Sequence, residues 1–188
     1  WLIQFFEKKY GMEQSKKILK AFNTVPDTCI RVNTLKITTD AIKKQLKLKN
    51  ISVEDIPYIQ EGLSIKTGAD TLFSEFLQTG LLYVQTASSM IPAKVLGPDA
   101  GDHVLDMCAA PGSKTTHIAA LMGNRGSIDA WDVYPHKVKL IKDNAKRLGI
   151  SIIHTEVRDS VKPLPFLYET YDKVLLDAPC SGLGVLGH

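Results

Sequence analysis

His103-Val104-Leu105-Asp106-Met107-Cys108-Ala109-Ala110-Pro111-Gly112-Ser113-Lys114-Thr115-Thr116 reads as a short apolar strand, a tight turn and the start of a helix. In the turn, small side chains let backbone approach a ligand, while Pro111 and Gly112 shape entry into a helix over Ser113–Met122. Downstream the alternation continues: strand Ser127–Asp132, helix Pro135–Leu148, strand Ser151–Thr155 and strand Tyr171–Asp177. Continuously apolar strands separated by helices predict a doubly wound α/β architecture, a parallel sheet covered on both faces.

Upstream, the apolar run Leu81-Leu82-Tyr83-Val84 and a helix over Thr86–Leu96, formed despite Pro92, are expected to lead into that sheet. At the front, Trp1, Leu2, Phe5, Phe6, Ile18, Leu19 and Phe22 have helical spacing and Gly11 supplies a break, which predicts a helical hairpin. After the turn Asn23-Thr24-Val25-Pro26-Asp27, Cys29-Ile30-Arg31-Val32-Asn33 alternates as a strand does. Thr39 or Asp40 can cap a helix running to Leu48, and strands are expected over Ile51–Ile56 and Gly62–Lys66, with a less regular segment over Thr67–Thr79. The expected organisation is a helical region at 1–25, a small α/β unit at 26–79 and the parallel-sheet domain at 80–188.

Charge is distributed unevenly along the chain. Residues 1–49 hold 11 Lys or Arg against 4 Asp or Glu, residues 50–100 hold 2 against 6, and residues 101–188 hold 10 against 10. A solvated helix face accounts for Lys8, Lys9, Lys16, Lys17, Lys43, Lys44, Lys47 and Lys49, and a polyanion partner is the sharper alternative. No run approaches the roughly 18 apolar residues that a membrane helix needs, and the first residues lack the basic region and cleavage site of a signal peptide, so a cytoplasmic location without a membrane partner is expected. Cys29, Cys108 and Cys180 form no CxxC pair and are odd in number, which argues for reduced thiols and against a disulfide framework or a metal site. Nothing in the sequence sets an oligomeric state.

In a doubly wound sheet the ligand sits at the carboxyl ends of the strands, near the point where strand order reverses. Asp106 closes the first strand, Asp132 the second and Asp177 the fourth, and Asp159 follows the third by a few residues. Asp132 lies 20 residues beyond Gly112, a spacing suited to a carboxylate that accepts hydrogen bonds from both hydroxyls of an adenosine ribose. The turn lacks G-x-G-x-x-G, and Gly112-Ser113-Lys114-Thr115 lacks the rest of a phosphate loop, so neither NAD nor ATP is supported. Asp177-Ala178-Pro179-Cys180-Ser181-Gly182-Leu183-Gly184 puts a carboxylate and a thiol three residues apart. Carbon 5 of cytosine is a poor nucleophile, and addition of a thiolate at carbon 6 gives it the enamine character needed to accept a methyl group. For Cys29 and Cys108 an inert structural role is expected, with Cys108 lending backbone.

The pairing of Val104-Leu105-Asp106-Met107-Cys108-Ala109-Ala110-Pro111-Gly112-Ser113-Lys114-Thr115-Thr116 with Asp177-Ala178-Pro179-Cys180-Ser181-Gly182 resembles the Sun (Fmu) family of RNA cytosine-5 methyltransferases. The likeness extends forward through Arg31-Val32-Asn33-Thr34-Leu35-Lys36 and Tyr83-Val84-Gln85-Thr86-Ala87-Ser88-Ser89-Met90, and covers nearly the whole chain. It implies a Rossmann-like fold in which Cys108, Ala109, Ala110, Pro111, Gly112, Ser113, Lys114, Asp132, Asp159 and Asp177 surround S-adenosyl-L-methionine, with Asp132 at the ribose and Asp159 near the adenine. Asp177 can also hold the target cytosine, and Cys180, Asp177 and Lys114 make up the implied catalytic set. In this family the cysteine of the Pro-Cys motif releases product, and the attacking cysteine lies in a later Thr-Cys-Ser motif that these residues do not contain. The small unit around Arg31–Lys66 corresponds to the family's RNA-contacting subdomain, which favours the polyanion alternative for the basic front.

Four strands before His188, where such a sheet has about seven, lead to the expectation that the sequence is the front part of a longer protein and that its last strand is an unpaired edge. The leading functional expectation is methylation of cytosine carbon 5 in RNA, most of all small-subunit ribosomal RNA. A non-catalytic RNA- and cofactor-binding fragment is the alternative for these 188 residues taken alone. A nucleotide-dependent oxidoreductase survives only on the generic sheet pattern, and the Asp-Ala-Pro-Cys loop counts against it.

Overall fold

Alternation in the first strand, β1 (Cys29–Val32), buries Ile30 and Val32 in an aliphatic core and leaves Arg31 on the opposite face. This pattern organises the front half of the computed structural model, which describes residues 1–23, 27–67, 73–162, 165–180 and 182. Residues 24–26 of the expected turn, 68–72 of the irregular segment, and 181 and 183–188 after the Pro-Cys pair lie outside the described residues.

The chain divides into two units, Trp1–Asp27 with Pro179–His188, and Thr28–Ala178. In the first, helix α1 (Leu2–Phe22) is interrupted at Gly11, whose φ of 76° and ψ of 164° are not helical. Positions 6 and 22 of a straight helix would be about 24 Å apart. Phe6 and Phe22 instead lie with ring centroids 5.8 Å apart, so the two halves fold back as a hairpin.

The larger unit holds two sheets. The first is antiparallel with order β2-β3-β1-β4, from β1, β2 (Ser52–Ile56), β3 (Ile59–Thr67) and β4 (Leu82–Val84). Helices α2 (Thr39–Leu48), capped by the Thr38 hydroxyl, and α3 (Phe73–Gln78) close one face, with Ile42, Leu46 and Phe76 packed on Ile30, Val32, Leu63 and Leu82. The run at Leu81–Val84 therefore does not enter the parallel sheet. Leu82 pairs with Val32 and Val84 with Ile30, because three apolar residues complete the antiparallel core as well as they would begin a parallel one.

Helix α4 (Ala87–Leu96), capped by the Thr86 side chain, leads to the second sheet. Here β5 (His103–Asp106), β6 (Ser127–Asp132), β7 (Ile153–Val157) and β8 (Lys173–Leu175) are all parallel, in the order β7-β6-β5-β8. Helices α5 (Ser113–Leu121) and α6 (Pro135–Leu148) pack Ile118, Ala119, Ala145 and Leu148 against Val104 and Ile128. The third strand begins two residues later than its apolar run suggests, since Ile150 and Ile152 belong to the packing that follows α6. The fourth ends at Leu175, so Asp177 lies two residues beyond the strand rather than on its last position. The resulting fold is α/β and Rossmann-like, with an antiparallel subdomain in front.

Candidate functional site

Strand order reverses between β5 and β8, and the crevice of a doubly wound sheet opens there at the carboxyl ends of the strands. The backbone of the intervening loop is tied to both neighbours: Met107 donates its N–H to the Leu175 carbonyl at 3.0 Å, and Ala109 to that of Trp131 at 2.8 Å. Gly112 then turns the chain into α5 with φ of +94°. A Cβ at Gly112 would lie 3.2 Å from the Ile141 Cα, so both the backbone conformation and the close approach of α6 call for glycine.

Carboxylates gather around this loop. Asp106, 1% exposed, accepts a hydrogen bond from the Thr115 hydroxyl on Oδ2 at 2.7 Å, while its Oδ1 has no partner among the described residues. Burial raises its pKa to about 6, against the opposing pull of the Thr115 bond, of the nearby Cys108 backbone N–H and of Lys114. Asp132, 9% exposed at the end of β6, accepts the Tyr134 N–H at 3.1 Å. The half-buried Cys108 thiol is pushed up by burial and then by Asp106, Asp132 and Asp177, which keeps it a neutral thiol. Asp177 is exposed and pairs with the Lys114 ammonium at 2.6 Å, joining the start of α5 to the segment after β8 across the reversal.

Asp159 is less central. It is half-buried after β7, with its Oδ1 accepting the Val161 N–H at 3.1 Å, and neighbouring Ser160 donates its hydroxyl to the Met107 carbonyl at 2.6 Å, which fastens that loop to the crevice. Cys180 is exposed and falls in the unit that contains α1. Ala109 and Gly112 are buried, Ala110 and Ser113 half-buried and Pro111 exposed, so the turn offers backbone and little side chain. The crevice thus presents small residues, one buried carboxylate oxygen that lacks a partner and a second carboxylate at the adjoining strand end. Such a site can receive a ligand with hydroxyls and positive charge.

Two residues inside the quoted motif stretches have roles that the motifs do not state. Thr115 holds Asp106, and its signal was only a hydroxyl nine residues from an acid. Arg31, 2% exposed, reaches Ser113 and Thr116 of α5; the signal was a lone cation alternating with aliphatic residues in β1. The lysines of α2 and of its C-cap, Lys49, are also less available than their number implies. Lys43 pairs with Asp55 at 2.5 Å and Lys49 with Glu75 at 3.0 Å, whereas Lys44 and Lys47 are exposed. No group of three His, Cys, Asp or Glu among the described residues is placed to hold a metal ion, and no helix among them is long and apolar enough to cross a membrane.

Comparison with known proteins gives concordant matches over both halves. Residues 1–71 match the ferredoxin-like domain of RsmF/B-like methyltransferases, and residues 93–188 match the 16S rRNA methyltransferase RsmB/F model. The chain is 40% identical over 187 residues to a Bacillus subtilis protein named "probable ribosomal RNA small subunit methyltransferase B", covering 99% of this chain and 42% of that protein. Among solved structures, a methyltransferase homolog protein from Pyrococcus horikoshii superposes with a TM-score of 0.85 at 36% identity, over 95% of this chain and 58% of that one. NSun6 from the same organism, solved with SFG, also gives a TM-score of 0.85, at 25% identity over 95% and 70% of the two chains. The chain thus spans less than half the length of its curated relative, and on the match over residues 93–188 it belongs to the 16S rRNA methyltransferase RsmB/F family.

Proposed function

We propose that this chain holds the methyl donor in an enzyme that methylates carbon 5 of cytosine in small-subunit ribosomal RNA, in the cytoplasm. The observation that carries the reading is the Lys114–Asp177 ion pair at 2.6 Å across the strand reversal, with the buried Asp106 and Asp132 on the last positions of the adjoining strands β5 and β6. S-adenosyl-L-methionine, when bound, supplies an electrophilic methyl group. Asp132 would accept hydrogen bonds from the ribose hydroxyls, and Asp159 would lie toward the adenine. The partnerless Oδ1 of Asp106 would face the positively charged end of the donor, while Cys108, Ala109, Ala110, Pro111, Gly112 and Ser113 would line its path with backbone. Lys114 orients the Asp177 carboxylate, which in turn would hold the target cytosine.

Methylation at carbon 5 requires a thiolate to add at carbon 6, carbon 5 to take up the methyl group, the carbon 5 proton to leave, and the thiolate to be eliminated. The family resemblance assigns the attack to a cysteine outside these residues, which leaves Cys180 the release step: assisting proton removal and elimination. In the RNA-bound state the small antiparallel subdomain would contact the phosphate backbone, with Lys44 and Lys47 available for it.

The experiment follows covalent adducts by denaturing gel electrophoresis with labelled RNA and the complete protein. Cys180→Ser is expected to accumulate a protein–RNA adduct that turns over slowly. A folded, cofactor-binding Cys180→Ser protein that traps nothing would defeat the release role, and absence of 5-methylcytosine from RNA treated with the unaltered enzyme would defeat the reading as a whole. Appreciable methylation by the 188-residue chain alone would make Cys180 the attacking thiol.

A further inference from the structure

A guanidinium buried in a sheet is costly unless its donors are engaged, and burial pulls Arg31 down to about 10, still charged at neutral pH. Its partners lie on two sides. Nη1 donates to the Ser113 carbonyl at 2.6 Å and to the Gln85 side chain, and Nη2 donates to the Thr116 hydroxyl at 2.8 Å. That hydroxyl donates in turn to the Gly112 carbonyl at 2.7 Å. Beneath the guanidinium lies the ring of Tyr83 at 5.0 Å. One cation of β1 therefore holds both residues at which the cofactor turn becomes α5, Ser113 directly and Gly112 through Thr116.

The rest of the segment holds the other helix. Asn33 donates its side-chain amide to the carbonyls of Leu148 at 2.8 Å and Gly80 at 2.9 Å, and the Lys36 ammonium reaches the carbonyls of Arg147 and Thr79, both at 2.8 Å. These groups satisfy the free carbonyls at the end of α6, where a cation also complements the helix dipole. Ile141 of that helix is the residue that abuts Gly112. Arg31-Val32-Asn33-Thr34-Leu35-Lys36 thus clamps the start of α5 and the end of α6.

We propose that Arg31 is a positioning residue for the methyl-donor site, through which the antiparallel sheet sets the conformation of Gly112-Ser113-Lys114. This rests on the cofactor reading above. A second buried polar contact supplies the comparison: His117 Nε2 meets Glu61 Oε1 at 2.6 Å, with both residues at most 6% exposed, and joins β3 to α5 without touching Gly112 or Ser113. Loss of that contact weakens the same seam without removing a hydrogen bond to Gly112 or Ser113, although Glu61 also pairs with Lys94 and acts on Arg31 through charge.

The test compares Arg31→Lys, Thr116→Val and Glu61→Gln in the complete protein by calorimetric titration with S-adenosylhomocysteine, thermal unfolding and amide hydrogen exchange at residues 112–116. Arg31→Lys keeps the charge but loses the planar fork, and is expected to weaken binding at least tenfold and to speed exchange in the turn. Thr116→Val is expected to do the same to a smaller degree. Glu61→Gln is expected to lower the Tm while affinity stays within twofold. An affinity loss in Arg31→Lys no larger than that of Glu61→Gln at equal loss of Tm, or unchanged exchange at 112–116, overturns the proposal. If the unaltered protein fails to bind S-adenosylhomocysteine, the cofactor reading falls, and exchange at the turn still decides what Arg31 does.

Discussion

The two sheets of the larger unit use charge in opposite ways. In the antiparallel sheet, Arg31 is a buried cation surrounded by partners, and all of those named above belong to the protein. In the parallel sheet, Asp106 is equally buried, yet its Oδ1 accepts no well-formed hydrogen bond among the described residues, and burial outweighs the Thr115 bond and the Cys108 N–H to raise its pKa to about 6. A satisfied buried charge fixes geometry, whereas an under-satisfied one stores an unfavourable interaction that a ligand can relieve. On the proposed reading, the first sheet is the scaffold and the second binds the ligand.

The scaffold side is broken most directly at Gly80. A Cβ there would lie 2.1 Å from the Arg147 carbonyl oxygen, at a φ of +69°, so Gly80→Ala must separate β4 from the end of α6 or strain both. A loss of more than about 3 kcal/mol is expected in chemical denaturation. A loss below about 1 kcal/mol would mean that the seam gives way easily and cannot position the turn.

The binding side is sharpened by Asp106→Asn. The Asp106 pKa is raised from 3.8 to about 6 in the folded chain. Below about pH 3 both states are protonated and the group contributes nothing; as pH rises toward 6 the unfolded state loses its proton first, so stability falls, and above that the penalty is constant. At 1.36 kcal/mol per unit the penalty is on the order of 3 kcal/mol. Asp106→Asn is therefore expected to stabilise the ligand-free protein by up to about that amount at pH 8, with the gain vanishing near pH 3, while cofactor affinity falls. Equal stability of the two proteins across that range would show Asp106 to be well solvated and remove the contrast with Arg31.

The smallest effect is expected on the exposed helix face. Lys44→Glu with Lys47→Glu should lower RNA affinity and reduce the magnitude of its salt slope by about 1 to 2, without changing cofactor affinity. Charge reversal at Lys43 and Lys49, which are already paired to Asp55 and Glu75, should do less. Equal effects from both pairs would favour a diffuse field over defined contacts.

Much of this was legible in the sequence. Apolar strands alternating with helices gave the parallel sheet, Gly11 the break in α1, and Asp106 and Asp132 their places at the ends of β5 and β6, whereas Asp177 lies two residues past β8. What was not legible depends on pairing between distant segments. Leu82–Val84 could complete either sheet, because three apolar residues carry no register information, and it joined β1. The partners of Arg31 lie 54 to 85 positions away, and no local period marks them. Asp132 and Asp159 looked alike as acids near strand ends, but Asp132 is buried on the last position of β6, whereas Asp159 is half-buried in the loop after β7.

The central claim is that the strand reversal binds the methyl donor through its carboxylates, and Asp132 tests it with least disturbance to the seam. Calorimetric titration of the complete protein with S-adenosylhomocysteine should show binding that Asp132→Ala weakens by about 1–3 kcal/mol, the cost of leaving ribose hydroxyls unpaired, which is a loss of roughly 5- to 150-fold. Unchanged affinity in a folded Asp132→Ala protein would contradict the account.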